Sequence, residues 1–147
     1  MISLQEEISD IFSVLHDGHI ESSERNEDTL SFSVSIMYLT ERIEGSNMIH
    51  VALFGYRNSE FIAWMKDGNS KTISDYSLTD LDILSGKVEE GRIRADFSNH
   101  SSDSEYCGGT LYFECDSYAI EAPEGKSITL HAIKEVAAKY WGDFGKK

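Results

Sequence analysis

Between residues 28 and 39 apolar and polar positions alternate. Leu30, Phe32, Val34, Ile36 and Tyr38 share one parity, and Ser31, Ser33 and Ser35 the other. Successive side chains of a strand point to opposite faces, so a long strand from Thr29 to about Leu39 is predicted, with one apolar and one wet face. The same alternation predicts strands over His19 to Ser23, Met48 to Phe54, Leu81 to Val88, Arg92 to Ser98, Thr110 to Cys115 and Tyr118 to Ala122. Phe61 to Met65 fits a further strand that stops at Asp67-Gly68-Asn69, a turn signal. Met48 to Phe54 is apolar on both parities near its end, which suits a central place in a sheet. Lys71 to Thr79 is polar and irregular. Glu89-Glu90-Gly91 is a tight reversal that makes a hairpin of the strands on either side. Gly108-Gly109 reads as a bend or bulge ahead of a strand.

At the two ends the period changes. Leu4, Ile8, Ile11, Phe12 and Leu15 recur at helical spacing and predict a helix from Leu4 to Leu15. Ser3 with Glu6 makes a capping box, and Gly18 is the expected stop. A last helix from Leu130 to Gly142 carries Ile133, Val136, Ala137, Tyr140 and Trp141 on one stripe. Thr129 caps it and Gly142 closes it. Helices at both ends and about seven strands joined by short reversals predict an α+β fold with a mostly antiparallel sheet. That sheet either curls into a half-barrel or carries a helix on one side; the pattern leaves both open. No repeat and no wide linker is present, so residues 1–147 are read as one domain.

Charge narrows the function classes. The chain has 26 acidic and 13 basic residues, a formal charge of −13. Such a surface repels phosphate backbones, which argues against nucleic-acid binding, and it suits a basic protein partner. A chain 40% hydrophobic and 11% aromatic is not disordered. No run approaches the roughly 20 apolar residues that span a bilayer, so no membrane role is expected. The N-terminus lacks the basic region and apolar core of a signal peptide, which sets a cytoplasmic location as the expectation. Cys107 and Cys115 are expected to stay reduced and, without a second pair, do not make a zinc site. There is no nucleophile elbow, phosphate loop or dinucleotide fingerprint, so no catalytic residue and no cofactor is assigned.

Candidate chemistry is sparse. His16, Asp17 and His19 have the residue types of a metal or acid/base site, and equally those of a helix C-terminus. His50 lies in an apolar strand and His100 in a polar loop. Whether His16, Asp17, His50 and His100 converge is a question of space rather than spacing. Glu105 beside Cys107 disfavours a thiolate there. Tyr56, Trp64 and Tyr112 are the candidate binding residues, since exposed tyrosine and tryptophan anchor interfaces. Tyr112 has the parity opposite to Leu111 and Phe113, which puts it on the outer face. The same aromatics would also serve to cover a second face of the sheet. Ser31, Ser33 and Ser35 have neither charge nor bulk. If a partner covers that face, it is the binding surface.

The stretch Phe12 to Ile20 (FSVLHDGHI), the strand Leu30 to Leu39 and the closing Tyr140-Trp141-Gly142-Asp143-Phe144 resemble small uncharacterised bacterial domains. In size and acidity the chain is similar to immunity proteins that neutralise a toxin. The resemblance covers the two ends and one strand, and its motifs are structural, so no functional residue is carried over. It implies a non-catalytic protein-binding domain with a basic toxin as partner. The alternative expectation is a small-molecule- or metal-binding enzyme domain with a pocket near His16, Asp17 and His19.

Overall fold

The computed structural model describes residues 3–35, 48–99, 105–122 and 127–144, with side chains as far as residue 138. The elements are α1 (Leu4–Val14), β1 (His19–Arg25), β2 (Thr29–Ser35), β3 (Ile49–Phe54), β4 (Arg57–Met65), β5 (Ser70–Ile73), β6 (Asp82–Glu89), β7 (Arg92–Ser98), β8 (Tyr106–Glu114), β9 (Ser117–Glu121) and α2 (Leu130–Phe144). The class is α+β with an antiparallel sheet, but among the described residues the strands number nine rather than about seven. β5 forms inside the stretch that patterning leaves irregular, because Phe61 to Trp64 of β4 offer Ser70 to Ile73 a ladder. Tertiary pairing there outweighs weak strand propensity. The expected strand residues 36–39, the turn at 44–47 and the proline turn at 123–125 lie outside the described residues. Among the described residues no helix is long and apolar enough to cross a membrane.

The strand order is β5-β4-β8-β7-β6-β1-β2-β3-β9. β3 and β4 stand far apart in that order, yet only Gly55 and Tyr56 separate them in the chain. β8 and β9 are just as far apart and are joined by Cys115 and Asp116 alone. Three Cα steps reach at most about 11 Å, close to the roughly 10 Å between packed sheets. The sheet therefore doubles over into two leaves, β6-β7-β8-β4-β5 and β1-β2-β3-β9, and curl and packed helix occur together rather than as alternatives. The two crossings lie side by side, with the Asp116 amide donating to the Phe54 carbonyl at 2.7 Å. The leaves join where His19 of β1 faces Asp82 of β6. Register shifts at Ile20/Ser22 and Ile83/Ser85 bend both strands at this corner.

α1 fills the space inside the curl. The Phe12 ring lies 5.6 Å from Phe32 on one leaf, and 6.1 and 5.9 Å from Phe97 and Phe113 on the other. Ser3 caps α1 as expected, accepting from the Glu6 amide at 3.2 Å. Thr129 likewise accepts from the Ala132 amide at 3.0 Å and caps α2. The helix ends differ from expectation. Past α1 the left-handed residue is Asp17 (φ 70°), not Gly18, and α2 runs through Gly142 to Phe144. The β6–β7 hairpin turns on two left-handed residues, Glu90 and Gly91, the geometry that matches strand twist.

Gly108 and Gly109 lie inside β8 rather than ahead of it. A Cβ on Gly108 would meet the Trp64 ring at 2.7 Å, and one on Gly109 would meet the Phe61 ring at 2.4 Å. Each glycine is the seat of an aromatic from β4, one on either face of the sheet.

Candidate functional site

The outer face of the β1-β2-β3-β9 leaf holds a trough of about 430 Å³. Two cross-strand rows build it. In one, Glu24, Ser31, Ala52 and Ala119 stand opposite one another across the four strands; in the next, Ser22, Ser33, His50 and Glu121 do so. The serine parity of β2 thus continues into alanines on β3 and β9, and short side chains leave a floor lower than its surroundings. Phe54, 41% exposed, closes one end. Ser33 is buried, and its hydroxyl is 2.6 Å from His50 Nδ1.

The charge on this leaf is one-sided. Its strands carry Glu21, Glu24 and Glu121 but one basic residue, Arg25. Arg25 is turned away from the trough, its guanidinium 4.0 Å from the Tyr76 ring centroid and donating to the Ser74 carbonyl. Among the described residues neither Glu24 nor Glu121 joins an ion pair. The other leaf differs. There Arg94 contacts Glu89 at 3.0 Å and Asp96 at 3.2 Å, and Asp96 also accepts from Thr110 at 2.7 Å. The hydrogen bond from Arg94 holds the Glu89 carboxyl below the usual carboxylate range.

The residues singled out in the sequence scatter. Tyr56 sits in the β3–β4 crossing, 5% exposed, its ring 5.3 Å from Phe113 and its hydroxyl paired with that of Tyr76. Burial pushes its phenol well above the ordinary range. It belongs to the hydrophobic core. Trp64 is half-buried, spent on covering Gly108. Tyr112 does lie half-buried on the outer face, as parity requires. Arg92 stacks 4.5 Å from its ring centroid, and its hydroxyl donates to Glu89.

His16 donates from Nδ1 to the Ser13 carbonyl at 2.7 Å, the contact of a helix end, and it lines a groove of about 340 Å³ between α1 and α2. His19 points elsewhere, donating from Nδ1 to Asp82 at 2.7 Å with Asp80 at 3.5 Å from Nε2. His50 belongs to the trough, and His100 lies outside the described residues. Among the described residues no three His, Cys, Asp or Glu side chains gather as a metal site. Cys115 is buried, which pushes its thiol up to about 11.

The hydrogen bond to Asp82 raises the His19 pKa above its ordinary value, against the effect of burial. A raised value means that the imidazolium stabilises the fold fully below about pH 6.5, and that this is lost as pH rises through the folded-state value. Since the side chain is 38% exposed, solvent screening keeps the effect below about 1 kcal/mol. The wild type is expected to lose more urea stability than His19→Gln between pH 5.5 and 8.5. Equal losses would show that the clasp contributes nothing.

Beyond its β2 serines the trough is not legible in the sequence, because its floor joins strands whose register is set by the fold. Ser33 and His50 are 17 residues apart, and no local pattern pairs them. The bare serine parity of β2 was the only signal. No protein-family model matches the chain, and no curated protein and no solved structure matches it.

Proposed function

We propose that the protein is a non-catalytic binding domain that engages a basic protein partner through the outer face of β1-β2-β3-β9, as an immunity protein holds a basic toxin. The observation that supports this reading is the trough itself. It is a concavity floored by serine and alanine, rimmed by Glu24, Glu121 and exposed Phe54, on strands whose single basic residue points away. A carboxylate without an internal cation is available to an external one, and an acidic face speeds encounter with a basic partner. Small floor residues let the partner approach closely, and Phe54 offers it an apolar contact.

The test is affinity capture from the cells that produce the protein, wild type against Ala52→Arg. Ala52 is half-buried in the middle of the floor, so arginine both fills the trough and reverses its charge. The wild type is expected to retain a protein of high isoelectric point at about 0.1 M salt. That protein should be released toward about 1 M, where the screening length falls from about 10 Å to about 3 Å. Ala52→Arg is expected to retain none. Capture that ignores both the salt and the substitution would contradict the proposal.

A further inference from the structure

We infer that His50 sets the pH range over which the trough accepts a cationic side chain, taking it when the imidazole is neutral and rejecting it when protonated. This rests on the binding role proposed above and adds its regulation. Histidine is the side chain whose charge changes between pH 5 and 8, and here it sits in the floor of the cavity rather than beside it. The groups that face it are Ser33 from β2 and Glu121 from β9, and Ser22, Ser23 and Glu24 of β1 and Ser31 of β2 are the other charged and hydroxyl groups of the lining among the described residues. Among the described residues the trough lining contains no lysine or arginine. Among them the imidazole is therefore the one group of the lining able to bring a positive charge into it.

The hydrogen bond at 2.6 Å is what makes this a change of charge and not of shape. A serine hydroxyl can donate or accept. It donates to Nδ1 when the ring is neutral and unprotonated there, and accepts from Nδ1–H when the ring is charged. The ring stays tethered in both states. His19 is the contrast. Its two neighbours are carboxylates, which accept but never donate while ionised, so its charged form is built into the joint between the leaves.

A unit positive charge several ångströms from a bound cation, at an interior dielectric between that of protein and water, weakens binding by about tenfold. The test uses the full chain, labelled with nitrogen-15, and a lysine- and serine-containing octapeptide as the cationic probe. Shifts are followed only at the amides of Ser33, His50 and Glu121, so that peptide bound elsewhere on an acidic protein does not count. Wild-type affinity is expected to fall severalfold from pH 7.5 to pH 5.5, toward the limit of about tenfold, and that of His50→Gln by less than about twofold. An equal pH effect in wild type and variant overturns the role of His50 and leaves the binding face standing. No peptide-dependent shift at the three amides at either pH overturns both.

Discussion

Phe12→Ala is expected to lower stability by about 3–5 kcal/mol, read as a fall in the urea midpoint with little change of slope. Phe12 is 0% exposed and is the one side chain of α1 whose ring meets aromatic rings of both leaves. Its loss removes the transfer free energy of a phenyl group. It also leaves a hole that cannot close, because Phe32 and Phe113 are anchored on opposite leaves and held by separate ladders. A typical domain has about 5–15 kcal/mol in all, so the variant should be marginal at room temperature. A cost below about 1.5 kcal/mol would show that the leaves can collapse onto the gap, and that α1 is not what holds them apart.

Gly86→Ala should cost nearly as much, although it adds a methyl group and removes nothing. A Cβ at Gly86 would lie 2.4 Å from the Ser9 carbonyl oxygen and 2.7 Å from the Phe12 Cβ. Both are backbone or backbone-attached atoms, so no rotamer change relieves the contact. α1 must lift from β6, and the hydrogen bond from the Ser13 hydroxyl to the Gly86 carbonyl, 2.8 Å long, must stretch. Overpacking of this kind costs typically about 1–3 kcal/mol, and a rigid contact on both sides puts it at or above the top of that range. The unfolded chain loses freedom when glycine becomes alanine, worth at most about 1 kcal/mol in the opposite direction. Thermal or urea denaturation checks the net sign; a stabilised variant would mean that α1 does not touch the strand.

Patterning along the chain carries the class of this fold but not its closure. Alternation at Leu30 to Val34, at Arg92 to Ser98 and at Leu111 to Phe113 is a local property, and the strands formed there. The caps at Ser3 and Thr129 are local too. What patterning does not carry is which leaf a strand joins. That choice is made by two-residue crossings, Gly55-Tyr56 and Cys115-Asp116, which in one dimension resemble ordinary hairpin links. Tyr56 shows the consequence: a tyrosine between two strands reads as a surface residue, and it is buried because its ring turns inward from the crossing onto Phe113. Gly108 and Gly109 fail for a related reason. A glycine pair reads as a bend, whereas here it makes room for Trp64 and Phe61 of a strand more than 40 residues away in the chain. The trough was half legible. Its β2 row follows from the serine parity, while Ala52, Ala119, Glu121 and His50 join it only through register.

The binding face is the central claim, and the affinity of the captured partner for two forms of the protein tests it most directly. Titration calorimetry of that partner against wild type and Ala52→Arg, with urea midpoints measured in parallel, separates lost binding from lost fold. A buried, mismatched arginine in the centre of an interface is worth at least about 100-fold in affinity, with the urea midpoint of the free protein nearly unchanged. Equal affinity for both forms would put the partner on another surface and contradict the account.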